Sequence, residues 1–399
     1  MKRFVGRPVG RAGIVAVGIF ALLAATTITG VAAAPAKPGA TCQKSGTRTV
    51  IKNASYVCAL NAKSKKLTWV LAPKAAAVPA AAVEVPKPKI DMTQAKINVA
   101  TFSEGLNYEC FYTAREQGYF SKMNLTVDTP VVFGTDAEST RALLSGDVDF
   151  TLTGPAPLIA MEQGAADLNI VASIAGPLFA IVGPNDVTSL KQLKGQKIIV
   201  APTGTSSTTF AGIVLDNALG AGSWTPVSTS GGSPARMAAV QAGLGKATVL
   251  NSPAAENVDN QAKYGYQIIS YVQKGLSADY ELGGAYAKSS WLKKNQAATV
   301  RFLAAWIQGC NFLADAKNRA AVEAAMVTRY KIPAKAATAT YEEYLKAGND
   351  YRITVPEEDL QALNNTVRLN VRDGILKGTL DLNKVVDQSY IQTARKFLG

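Results

Sequence analysis

The sequence predicts an α/β fold with mostly parallel sheets and helices on both faces. Three observations carry this. From residue 95 onward, short β-branched runs alternate with apolar segments of helical period. Glycine or a capping residue marks most of the switches between them. The spacing between strand runs leaves room for helical crossovers, which parallel pairing requires.

In order, Ile97–Thr101 reads as a strand, followed by a Ser103/Gly105 turn and a helix over Leu106–Gln117. Leu125–Val127 is a second strand. Thr135-Asp136-Ala137-Glu138 is a capping box opening a helix that Gly146 closes. Val148–Thr153 returns as a strand, Gly154-Pro155 opens a helix ending at Gly164, and Ile170–Ile174 and Phe179–Val182 are strands. A second cycle runs through the strand Lys197–Ala201, a helix from Thr208 to Leu219, and a helix capped by Ser233-Pro234. The strand Ala247–Leu250, a helix from Ser252-Pro253 to Tyr264, and the strand Tyr266–Ser270 complete it. From Gly284 the chain reads as mainly helical, with Leu303, Trp306, Ile307, Cys310 and Leu313 on one apolar stripe.

The 399 residues carry a formal net charge of +13. Residues 1–92 hold 14 Lys and Arg against Glu84 and Asp91, whereas residues 93–399 hold 28 basic and 27 acidic residues. The main body is therefore balanced, which argues against a nucleic-acid partner. Histidine is absent, removing the commonest general base and zinc ligand. With no CxxC spacing, neither a metal nor a cofactor is expected. The acidic pair Glu342-Glu343 reads as a solvated helix face, and no nucleophile–base pair is recognisable, so the reading is not an enzyme.

Lys2, Arg3, Arg7 and Arg11 precede an uncharged run from Ala12 to Ala36 that ends in small residues, the pattern of a secretory signal over 1–36. The run is also almost long enough to stay as an uncleaved anchor. Either way the body is expected outside the cytoplasm. Residues 37–71 form a small basic module that a Cys42–Cys58 bridge would staple; it is a solvated spacer or a cell-surface contact. Residues 72–93 are an Ala/Pro linker.

Gly118-Tyr119-Phe120, the run Leu143–Phe150 and the run Leu190–Lys197 occur in the order of successive motifs of a known family. Thr203–Ser207, Ala247–Pro253 and Tyr264-Gly265-Tyr266 continue the series. The chain thereby resembles the nitrate/sulfonate/taurine-type substrate-binding proteins of ABC importers. It departs from them at Lys246 and at Asn251-Ser252, which bears on ligand more than on fold. The resemblance implies the type II periplasmic-binding-protein fold. Lobe one would span 94–183 and 283–399, with the C-terminal helices, and lobe two 184–282. The hinges would lie near Gly183-Pro184 and Leu282-Gly283. It further implies a monomer that captures a sulfonate, taurine or nitrate-like anion or zwitterion for a membrane permease and its ATPase. A thiamine-pyrimidine-type heteroaromatic ligand, or a sensor role, is the alternative.

Ligands in open α/β sheets sit beyond the carboxyl ends of strands. That rule selects Thr101, Phe102 and Glu104, then Thr153 and Gly154, then Thr203, Thr205, Ser206 and Ser207, and finally Asn251. Thr203–Ser207 offers hydroxyls and amides to an anion at a helix N-terminus. Thr153-Gly154 serves as a cap or a contact, Phe102 as a wall or core ring, and Glu104 as an amine partner or an exposed turn residue. Cys110 and Cys310 both sit on apolar faces that the two-lobed topology brings to lobe one. They are read as a disulfide, with two separate buried thiols as the alternative.

Overall fold

Residues 37, 40–41, 48–51, 54–60, 66–71, 87–276, 280–346 and 360–399 are described by the structure, a computed structural model. The export segment 1–36, the Cys42–Cys58 pairing and most of the linker lie outside the described residues. The chain divides into two compact units, Met1–Val85 and Pro86–Gly399. In the first, β1 (Arg48–Ile51), β2 (Ala54–Leu60) and β3 (Leu67–Leu71) form an antiparallel meander. In the sequence, Thr47–Ile51 and Ser55–Cys58 read as two short strands, matching the first two. The third follows a lysine-rich run, where charge masks the Leu-Thr-Trp-Val-Leu strand signal.

The second unit begins with β4 (Ala95–Ile97) and β5 (Val99–Thr101), then β6 (Leu125–Val127), β7 (Val131–Val132), β8 (Phe150–Thr153) and β9 (Asn169–Ala175). β10 (Phe179–Pro184), β11 (Lys197–Val200), β12 (Thr225–Ser228), β13 (Ala247–Asn251), β14 (Tyr266–Tyr271) and β15 (Glu281–Ala287) follow. They build two five-stranded sheets, ordered β7-β5-β8-β15-β9 and β12-β11-β13-β10-β14, besides the β4-β6 pair.

The two sheets share one plan. Four strands of each point the same way, and the fourth in order is antiparallel to both of its neighbours. That reversed strand is β10 in one sheet and β15 in the other. Each arrives directly from the opposite sheet, so it enters at the carboxyl ends of its neighbours and has to run against them. The first crossover therefore falls between β9 and β10. Phe179–Gly183, placed at the end of lobe one by the sequence, pairs in the second sheet together with Pro184.

β15 is also a correction to the helical reading from Gly284. Its sequence, Glu-Leu-Gly-Gly-Ala-Tyr-Ala, lacks β-branched residues, so local propensity is silent. Its glycines are sterically required instead. A Cβ on Gly283 would lie 2.0 Å from the Thr153 carbonyl oxygen, and one on Gly284 would lie 2.7 Å from Ile170 Cγ2.

The helices are α1 (Glu109–Glu116), α2 (Tyr119–Lys122), α3 (Asp136–Ser145), α4 (Ala156–Glu162), α5 (Ser206–Leu219), α6 (Gly232–Gln241) and α7 (Ala254–Asp259). The C-terminal set is α8 (Ser289–Lys294), α9 (Gln296–Ala314), α10 (Arg319–Tyr330), α11 (Ala334–Thr340), α12 (Leu360–Arg372), α13 (Leu382–Val385) and α14 (Ser389–Leu398). At α3 the N-cap half of the expected box is present: Thr135 Oγ1 accepts from the Glu138 amide at 3.2 Å, and Gly146 ends the helix at φ 90°. Ser252-Pro253 opens a shorter helix than predicted, since α7 stops at Asp259 and only a 3-10 turn, Ala262–Tyr264, follows.

α9 packs along α1, and there Cys110 and Cys310 are disulfide-bonded with Cα atoms 4.5 Å apart. The residue before Cys310 explains how the helices come so close. A Cβ on Gly309 would lie 2.1 Å from the Cys110 carbonyl oxygen. Around this contact Phe111, Phe120, Phe150, Phe302 and Trp306 form a continuous aromatic core. Arg301 is buried within α9, yet its guanidinium donates to the carbonyls of Met123, Asn124 and Thr93, tying the start of the second unit down.

Candidate ligand site between the two sheets

The loops after β5, β8, β11 and β13 converge where one sheet faces the other. After β11 the chain turns into α5 through Thr205. The Thr205 hydroxyl donates to the Pro202 carbonyl at 2.8 Å and reaches Thr208 Oγ1 at 3.2 Å, so it holds the turn. Ser207 Oγ lies 3.5 Å from Thr205 Oγ1, and Thr203 is exposed. Ser206 behaves differently. It is 5% exposed, and its hydroxyl has no hydrogen-bond partner among the described residues. It also sits at the end of α5 where unsatisfied amides carry partial positive charge.

Facing Ser206 is a residue that the sequence reading treats only as part of a cap. Asp136, the first residue of α3, is 7% exposed. Its Oδ1 accepts from Thr153 Oγ1 at 3.1 Å, the Gly154 amide also donates to the carboxylate, and Ser139 Oγ backs Thr153 at 3.3 Å. Burial outweighs these bonds and raises its pKa to about 6. Among the described residues no Lys or Arg forms an ion pair with it. Gly154 separates the two halves of the contact. A Cβ there would lie 2.5 Å from Asp136 Oδ2 and 2.8 Å from Ser206 Oγ. Only a bare Cα lets a carboxylate from one sheet's helix and a hydroxyl from the other's approach one point. Tyr286 closes the floor, its hydroxyl donating to the Gly154 carbonyl at 3.2 Å.

A second contact between the halves involves Asn251. The Leu106 amide donates to the Ser252 carbonyl at 3.1 Å, and Asn251 Nδ2 is 3.9 Å from where a Gly105 Cβ would stand. The orientation of that amide is set from behind. Arg236, 3% exposed on α6, donates to Asn251 Oδ1 at 3.1 Å, to the Val249 carbonyl at 2.6 Å and to Ser233 Oγ at 3.3 Å. Asn251 therefore presents its N–H groups toward Gly105. The partners of Arg236 are all neutral, and burial lowers its pKa to about 10, which leaves it a cation at pH 7. The sequence reading passes over Arg236. The available signal was an arginine beside Met237 and four residues before Val240, on the buried stripe of an amphipathic helix.

The remaining sequence candidates separate. Thr101 is fully buried at the end of β5, and Phe102 is half-buried, packed edge-on against Tyr108 with ring centroids 6.1 Å apart. Glu104 is exposed. The carboxylate buried at the boundary is Asp136. Behind the site, Ser252 Oγ lies 2.9 Å from both Glu256 Oε1 and Tyr344 OH. Glu256 is fully buried, which lifts its pKa to about 7. Through Tyr344, and through Lys274 with Glu343 at 2.8 Å, the π-helical turn Tyr341–Leu345 is fastened to the second sheet's side.

A family model described as NMT1/THI5 like matches residues 106–320. No curated protein matches the chain. Among solved structures, the periplasmic nitrate-binding protein NrtA from Synechocystis PCC 6803 superposes with a TM-score of 0.63 at 15% identity, over 77% of this chain and 89% of that one. The putative periplasmic sulfonate-binding protein SsuA from Methylobacillus flagellatus KT gives 0.59 at 16% identity, over 76% and 95%. A point mutant of DszB, solved in complex with biphenyl-2-sulfinic acid, gives 0.54 at 14% identity, over 75% and 99%. At such identities the likeness is one of fold: two α/β lobes of the type II periplasmic-binding-protein kind.

Proposed function

The chain belongs to the NMT1/THI5 like family, and from that premise we propose that it is the extracytoplasmic solute-binding component of an ABC importer. It captures a small polar anion or zwitterion between its lobes and delivers it to a membrane permease coupled to an ATPase. The lobes divide at the two sheet crossovers, near residues 176–178 and 272–281. The observation that carries this reading is Ser206. A buried hydroxyl without a partner among the described residues, at the N-terminus of α5 and at the boundary between the sheets, suits a bound polar group. Arg236, a buried cation among neutral partners, adds positive potential behind Asn251.

The fold also occurs in DszB, so capture rather than catalysis is argued from the chain itself. It has no histidine, and Cys110 and Cys310 are bonded to each other. That disulfide suits an oxidising, extracytoplasmic compartment. Thermal-shift screening against sulfonates, nitrate, amino acids and pyrimidines tests the proposal. A ligand at about 100 times its Kd adds ~2.7 kcal/mol of stability. A pyrimidine as the sole hit would replace the anion with a heteroaromatic ligand, and a screen without hits would remove solute capture.

A further inference from the structure

Asp136 is a buried carboxylate that no cation of the described chain neutralises. Leaving a buried charge without a counterion is costly, and such groups are as a rule paired. Its Oδ1 accepts from Thr153 Oγ1, and the Gly154 amide also donates to the carboxylate, but neither partner carries a charge. Its Oδ2 and the Ser206 Oγ flank Gly154, 2.5 and 2.8 Å from where a Cβ there would stand, so the two oxygens face each other across the lobe boundary at no more than about twice a hydrogen-bond length. Hydrogen bonds from nitrogen to oxygen span about 2.7–3.2 Å, so one nitrogen could bridge these two oxygens. Ser206 has lone pairs for that nitrogen and a hydrogen for an acceptor elsewhere. The amides at the start of α5 supply further donors for the same acceptor.

We propose, resting on the solute-capture reading above, that Asp136 is the cation-recognition residue of the site. Its carboxylate and the Ser206 hydroxyl receive the ammonium group of a small zwitterion, whose anionic group is held at the N-terminus of α5. A plain oxyanion fits poorly, because it would meet the Asp136 charge and bring no cation of its own to offset it. Recognition draws one residue from each lobe, so the zwitterion is also what draws the lobes together. Glu104, exposed on its turn, has no part in this.

The test uses calorimetric titration of the purified chain at pH 7.5 with pairs that differ only by an amine. These are taurine with ethanesulfonate, β-alanine with propionate, and 2-aminoethylphosphonate with ethylphosphonate; nitrate is added as a bare anion. The expected result is that one amine-bearing member binds at least tenfold tighter than its partner. The isosteric change Asp136→Asn should abolish that preference, and Ser206→Ala, from the other lobe, should reduce it. Thermal melts of both variants verify folding. Equal binding within every pair, or a preference that survives both substitutions, overturns the role of Asp136. Tight binding of nitrate or an amine-free sulfonate that Asp136→Asn preserves or strengthens overturns it too, while leaving solute capture intact. A chain that binds none of these compounds overturns both.

Discussion

Two buried acids set the chemistry at the scale of single residues. Asp136 and Glu256 are raised by burial from 3.8 to about 6 and from 4.5 to about 7. The folded state therefore holds their protons more tightly than the unfolded chain does. Their ionisation costs stability as pH climbs through the folded values, and that cost vanishes below the unfolded ones. At 1.36 kcal/mol per unit the two groups give an upper figure of roughly 3 kcal/mol each. The ligand-free protein should melt higher at pH 5 than at pH 8, and the double change Asp136→Asn with Glu256→Gln should flatten the difference. A melting temperature with the same pH slope in wild type and double variant would refute this. The carboxylates held low by hydrogen bonds, such as Asp91, Glu162 and Asp167, act only at more acid pH. The hydroxyls of α5 also divide at this scale. Ser206→Ala should weaken ligand binding by about tenfold or more, the loss of a bond to a charged group of about 1.5–3 kcal/mol. Ser207→Ala, next to the local Thr205 contact, should change it far less. Comparable losses in both would return the site to the whole Thr205–Ser207 turn.

At the scale of elements the decisive contact is that of α1 with α9. The Cys110–Cys310 bridge closes a loop of 200 residues, which the chain-entropy model values at ~5 kcal/mol, an upper figure. Replacing both cysteines with serine should lower chemical-denaturation stability by several kcal/mol, and an unchanged midpoint would show that packing alone holds the pair. Gly309→Ala tests the packing separately. Its methyl would meet the Cys110 carbonyl oxygen at 2.1 Å, so the helices have to part, at a cost of about 1–3 kcal/mol. The apolar stripe of α9 is readable in the sequence at helical spacing. The need for glycine next to Cys310 is not, because it arises from a backbone atom about 200 residues away.

For the whole molecule, the matching sheets exchange one strand each, so two crossovers join them. Glycines line the crossovers: a Cβ on Gly176 would meet the Leu282 amide nitrogen at 2.2 Å. The Tyr341–Leu345 turn is held to the second sheet's side by Ser252 and Lys274. Small-angle scattering should show a smaller radius of gyration with saturating ligand than without. Equal dimensions at confirmed saturation would exclude closure by hinge motion.

The sequence by itself determined the alternation of strand and helix, the caps at Thr135 and Gly146, the apolar placing of Cys110 and Cys310 and the family. These rest on local periodicity, on turn chemistry and on motifs read in order. Only the tertiary structure decided the course of β10 and β15, the burial of Asp136 and Arg236, and which of the α5 hydroxyls is left without a partner. The physical reason is common to all of them. Desolvation and close approach depend on what the far side of the fold places against a residue. Asp136 faces Ser206 from 70 positions away, and no local pattern encodes that meeting.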